Sequence, residues 1–164
     1  MMKKLSILSL LLVLVGFSAC HWEEPISGAI ITGVDYNIQD GLILQEGEDV
    51  PGLRVNIQTE MGLELLFVQV NKIDDNRDRS LYHIELTNAS DGDLINFGLK
   101  KYTSTRLFNP GLIGERDLTM NIRNIVAQKC VLYQQAQTEY AIDMMVRDQG
   151  GVETTETLYV TVMP

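Results

Sequence analysis

Cysteine is nearly absent from this chain: Cys20 and Cys130 are the only two in 164 residues. A disulfide framework is thereby excluded, and the fold must be held by burial of apolar surface. Histidine is as scarce, with His21 and His83 alone, and no set of residues lies at the spacings that assemble a zinc site. There is no Gly-x-Ser-x-Gly elbow, no phosphate-cradling glycine loop and no Cys with a plausible catalytic His, so nucleophilic and nucleotide chemistry both lack their parts. One Trp, six Tyr and four Phe are too few to line the aromatic cleft with which a two-carboxylate glycosidase grips sugar. The chain is not read as an enzyme, and no cofactor is expected. Basic residues are also in deficit, 13 against 22 acidic ones, for a formal net charge of -9. A polyanion would be repelled, and no basic run interleaved with aromatics offsets this, so nucleic acid is excluded as a partner.

One long apolar run is present, at the front. Lys3 and Lys4 precede a mostly apolar stretch from Leu5 to Phe17, followed by the small residues Ser18 and Ala19 and then Cys20. Thirteen such residues rise only about 20 Å as a helix, short of the roughly 30 Å hydrocarbon slab, so the segment reads as a leader and not as a membrane span. Phe17-Ser18-Ala19-Cys20 resembles the bacterial lipobox, with Phe where Leu is usual. That resemblance implies acylation of Cys20, palmitate-type chains included, and removal of residues 1–19. Several acyl chains at about 0.8 kcal/mol per buried CH₂ would make the membrane attachment effectively permanent. Residues 20–27 then form a lipidated tether. No aspartate follows Cys20, which in lipoproteins of this kind implies the outer membrane, and Glu23-Glu24 resembles the acidic tag that directs some of them to the cell surface. Trp22, two residues from the lipid, suits the headgroup layer.

Loss of the leader removes Lys3 and Lys4 and leaves 145 residues carrying 11 basic and 22 acidic side chains, a net charge of -11. That length forms one domain, residues 28–164, able to bury about two-thirds of its unfolded surface. Cys130, with its only possible partner committed to lipid, reads as a small buried hydrophobe.

The body alternates. Leu53, Val55 and Ile57 share one face of a strand, then Met61-Gly62 turns the chain. Leu66, Val68 and Val70 share a face of the next, while Leu65 and Phe67 make its other face apolar, which marks a central strand. Tyr82, Ile84 and Leu86 follow, with residues 88–93 closing that strand. Glycines and Pro110 interrupt residues 94–116, read as a connection plus an edge strand. Leu118, Met120 and Ile122 resume the alternation, and residues 125–137 suit either a short helix or a strand. Tyr140 to Val146, the turn Asp148-Gln149-Gly150-Gly151 and Leu158 to Val162 form a closing hairpin. With Ala29 to Tyr36 and Leu42 to Leu44 this makes seven or eight strands in an all-β antiparallel sandwich, with room for one short helix. The aromatic start, alternation, Asp-Gly-type turn and Thr-rich last strand of that hairpin resemble immunoglobulin-like and cadherin-like modules. The resemblance makes Tyr140 a candidate tyrosine-corner residue, whose hydroxyl bonds backbone at the start of its strand.

Two ligand sets remain open. Asp74, Asn76 and Asp78 fall at positions 1, 3 and 5 of a calcium-loop pattern with Glu85 at position 12. Arg79 stands where that loop needs glycine, and Glu85 belongs to a strand, so any calcium held by the first three would be weakly bound. Tyr36, Tyr102 and Phe108 are candidates for stacking on sugar rings, since loops of a sandwich carry function more often than its sheets. The expected role is a membrane-anchored interaction, adhesion or spacer module of the bacterial envelope with a protein partner. The alternative is a surface glycan-binding accessory to an outer-membrane sugar importer.

Overall fold

The period-two segments become eight β-strands among the described residues, which are 28–74, 79–99, 111–131 and 136–164 of the computed structural model. These are β1 (Ala29–Gly33), β2 (Leu42–Gln45), β3 (Arg54–Thr59), β4 (Leu63–Ile73), β5 (Arg79–Glu85), β6 (Asp117–Asn121), β7 (Thr138–Asp148) and β8 (Glu153–Met163). They assemble as a three-stranded sheet in the order β1-β3-β6 and a five-stranded sheet in the order β2-β8-β7-β4-β5. Val55, Ile57 and Met120 of the smaller sheet meet Val68, Ile142 and Val160 of the larger in one core, so each sheet buries one face against the other.

Strand order identifies the architecture. β3 and β6 pair in one sheet while β4, β7 and β8 are neighbours in the other, the arrangement of strands B and E against C, F and G in an immunoglobulin-like sandwich. β5 extends the larger sheet beyond β4. The front of the chain serves both sheets: β1 pairs antiparallel with β3, then the chain crosses over and β2 pairs parallel with β8. That parallel pair is the one departure from an antiparallel expectation. Two glycines permit the crossing. A Cβ on Gly33 would stand 2.1 Å from the Tyr36 carbonyl oxygen, and Gly41 sits at φ 70° with Tyr159 backbone 3.2 Å from where its Cβ would be. Any side chain there would displace backbone.

No disulfide joins the sheets. Aliphatic side chains such as Val55 and Ile142 fill the middle of the sandwich, and Tyr140 is buried two residues before Ile142 at the start of β7, the place of a tyrosine corner.

Two short α-helices occur among the described residues, where one was expected. The first, α1 (Asp91–Asn96), begins where residues 88–93 were read as the close of a strand. Ser90 explains it: its hydroxyl accepts from the Asp93 N–H at 3.3 Å, the bond of a serine N-cap, and donates to the Asp93 carboxylate at 2.6 Å. Asp91 and Asp93 also place negative charge at the positive helix start. The second, α2 (Arg123–Lys129), resolves part of the ambiguous segment. Ile125 and Val126 face the core, and Cys130 closes the helix with no surface exposed. β6 is the strand read at Leu118, Met120 and Ile122, and it lies at an edge of the smaller sheet; the described parts of residues 94–116, which are 94–99 and 111–116, hold no strand.

The β7–β8 turn rests on an acid with no exposed surface. Asp148 accepts from the Val152 N–H at 3.0 Å through Oδ1, its backbone closes on Val152 and Gly151, and its Oδ2 finds no partner among the described residues. Asp148→Ala should strand the Val152 donor and lower stability by about 1–3 kcal/mol. Asp148→Asn, which keeps the acceptor, should lose less. Urea denaturation of the two variants checks the ranking.

Candidate functional site

β4 is flanked by β7 and β5, so its outward residues sit mid-sheet. In an antiparallel sandwich the outer face is ordinarily polar, yet here Leu65 and Phe67 of β4 and Ala141 and Met145 of β7 all point outward, opposite the buried Leu66, Val68, Ile142 and Met144. Phe67 stacks on His83 of β5 with ring centroids 6.1 Å apart. At the far side of the same sheet, Tyr159 of β8 is 57% exposed and Ile43 of β2 is 74% exposed.

Between these apolar groups runs a polar ladder. Gln69 donates to Asn71 at 2.7 Å, Asn71 to the Asp143 carboxylate at 2.8 Å, and Thr157 to the other oxygen of Asp143 at 2.7 Å. The ladder links β4, β7 and β8 across the face and holds its side chains in fixed rotamers. Arg147 bonds Glu64 at 3.1 Å and Glu153 at 3.2 Å. The field of Glu64, helped by Glu153, raises its guanidinium above the ordinary value, so the cation persists at any physiological pH. The result is a mosaic of apolar and hydrogen-bonded polar groups with charge at its margin.

The residues anticipated from sequence are distributed differently. Tyr36 lies in the crossover between β1 and β2 and lines a cavity of about 600 Å³ with Ile31, Ile38 and Glu156. Its hydroxyl is buried without a partner, and that burial pushes the phenol up to about 12. Tyr102 and Phe108 lie outside the described residues, as does Cys20. Of the calcium set, Asp74 is exposed just beyond β4, while Asn76 and Asp78 lie outside the described residues. No group of three His, Cys, Asp or Glu side chains poised for a metal occurs among the described residues. Burial lifts the Cys130 thiol to about 12, so thiolate chemistry is closed to it. No helix among the described residues is long and apolar enough to cross a membrane.

Two features went unread in the sequence. Glu156 shares the parity of Leu158, Val160 and Val162 on β8, so alternation alone assigns it to the inward face. The outward Tyr159 and Ile43 become meaningful only once β2 is known to pair with β8.

The class defined by strand order is an immunoglobulin-like sandwich, here with a partly apolar outer face on its larger sheet. No protein-family model matches the chain, and no curated protein matches it. Among solved structures, that of murine CRIg is 9% identical, covering 82% of this chain and 96% of that one with a TM-score of 0.37. ACE19, the collagen binding subdomain of the Enterococcus faecalis surface protein ACE, is 9% identical, covering 83% of this chain and 96% of that one with a TM-score of 0.20. Superpositions this loose carry no argument, and the assignment rests on strand order.

Proposed function

We propose that this chain is a non-enzymatic lipoprotein of the bacterial envelope, anchored through Cys20 to the outer membrane, whose sandwich docks a protein partner on the outer face of its larger sheet. The observation that carries the reading is that the exposed Tyr159 and Ile43 share one outward sheet face with Phe67 and Met145. Aromatic and Met side chains are what protein interfaces enrich. The ladder amides and the Asp143 carboxylate are already engaged with one another, which favours a protein with its own apolar patch over a hydroxyl-rich glycan.

A photo-crosslinker at position 159, in the anchored protein in native membranes, is expected to trap one defined protein. The same group at Asn56, on the smaller sheet, should trap none. Tyr159→Arg should lower recovery of that partner at least tenfold in pull-downs without moving the thermal midpoint, since the side chain contributes nothing to the core. Equal trapping from both positions would refute the face. The glycan-binding alternative, resting on Tyr36, Tyr102 and Phe108, predicts retention on a glycan array that is lost in Tyr36→Ala.

A further inference from the structure

The cavity beside Tyr36 lies away from the docking face, and three independent features converge on it. The first is a free strand edge. β1 ends the smaller sheet, and in an antiparallel pair alternate residues bond to the neighbour while the others point away. The Val34 N–H donates to the Arg54 carbonyl at 2.9 Å, which fixes the phase: Ile30 and Thr32 bond to β3, and Ala29, Ile31 and Gly33 present their backbone groups to the open side. Ala29 uses its N–H on the Thr154 hydroxyl at 3.0 Å. The N–H and C=O of Ile31 point to this open side, and Ile31 lines the cavity.

The second feature is Glu156. It is paired with Met144, on the inward-facing side of β8, where alternation places apolar side chains everywhere further along the strand. A carboxylate at an inward position breaks the rule the rest of the strand obeys. Among the described residues no Lys or Arg lines the cavity and Glu156 has no ion-pair partner.

The third is the Tyr36 hydroxyl, buried and without a partner. A phenol lifted to about 12 by burial is neutral at every physiological pH, so it offers an O–H donor. Leaving such a group unsatisfied costs folding free energy, and no group among the described residues uses it.

We propose that this slot binds a short extended peptide segment carrying a basic side chain, which adds a strand to the free edge of β1, sets its cation against Glu156 and accepts a hydrogen bond from the Tyr36 hydroxyl. Each feature selects one property of the ligand. The free edge reads backbone, as in strand addition to a sheet edge. Glu156 selects positive charge and rejects acidic segments. Ala29, Ile31 and Ile38 give apolar seats to the alternate side chains. The five residues of β1 span at most about 17 Å, which sets the length of the added segment at about five residues.

The test uses the full chain in detergent micelles and the labelled peptide acetyl-Thr-Val-Lys-Val-Thr-amide, followed by fluorescence anisotropy. The lysine peptide is expected to bind at least tenfold more tightly than its counterpart with central glutamate, and Glu156→Gln should bring the two within about twofold. N-methylation of the backbone amides flanking the lysine should weaken binding at least tenfold. Tyr36→Phe should weaken it several-fold while leaving the melting temperature unchanged or higher, because the lost hydroxyl supports nothing in the folded chain. Absence of binding at millimolar peptide, equal binding of the lysine and glutamate peptides, or indifference to N-methylation would each overturn the proposal. So would full competition by n-butylammonium at the peptide's own concentration, which would reduce the slot to a cation pocket without strand addition.

Discussion

Ile142→Asp is expected to leave the domain unfolded under all ordinary conditions. Ile142 has no exposed surface and sits mid-way along β7, opposite Val70 of β4 on one side and Leu158 of β8 on the other. Truncating such a side chain costs about 2–5 kcal/mol through lost burial and the cavity left behind. Aspartate adds a charge with no cation or donor among the apolar neighbours, and the effective penalty for that is several kcal/mol more. A domain of this size has about 5–15 kcal/mol of stability in all, and no disulfide among the described residues adds to it. Val68→Asp, at the equivalent depth in β4, should behave alike, whereas Ile142→Val should cost only about 0.5–1.5 kcal/mol. Circular dichroism melts of purified protein decide this. A cooperative transition in the aspartate variant within a few degrees of the parent would mean that the two sheets do not share this core.

The strands that carry this core were legible because their chemistry is local. β3, β4, β7 and β8 alternate over six to eleven residues, and alternation at that length has one physical reading, a face toward apolar neighbours and a face toward water. The apolar second face of β4 was legible too, as Leu65 and Phe67, and it forms part of the outer face proposed for docking. The helices were harder. α1 is six residues long, under two turns, so it has no amphipathic period to detect, and its signature is the Ser90–Asp93 cap within a stretch whose Asp and Gly residues also suit a turn. α2 carries Val126 and borders Val131, β-formers by propensity, and becomes helical because Ile125 and Val126 reach the core on consecutive positions, a pattern that a strand cannot offer. The parallel β2–β8 pair depends on a crossover whose turn residues do not announce which sheet they enter.

The candidate sites divide along the same line. Tyr36 was singled out for its ring, as a stacking platform on a loop, yet the structure draws attention to its hydroxyl, because only packing reveals that no partner meets it. Glu156 was within reach of sequence reasoning through its parity with Leu158. What sequence could not supply was the neighbour: β1 lies beside β8 across a gap between sheets, a relation between residues more than a hundred positions apart, as the Ala29–Thr154 bond shows with a separation of 125.

Cys20→Ser should abolish lipid attachment while leaving the sandwich intact. The proposed anchor is chemistry of one sulfur, since a serine oxygen does not take the thioether-linked lipid, and cleavage of a lipoprotein leader follows acylation. The variant is therefore expected either to keep residues 1–19 or to leave the membrane, and in neither case to gain acyl mass. Intact mass spectrometry separates these outcomes from the parent, which should begin at Cys20 and weigh more than its polypeptide by several acyl chains. One chain gives only marginal membrane affinity, whereas two or more at about 0.8 kcal/mol per buried CH₂ hold almost permanently, so alkaline carbonate should extract a released variant and leave the parent in the pellet. The melting temperature of the domain should match in both forms, because every core residue among those described lies between Ala29 and Val162. A parent chain that retains Met1, or that begins at Cys20 without added mass, would remove the anchor. The mosaic face and the slot beside β1 would remain to be explained as surfaces of an unanchored protein.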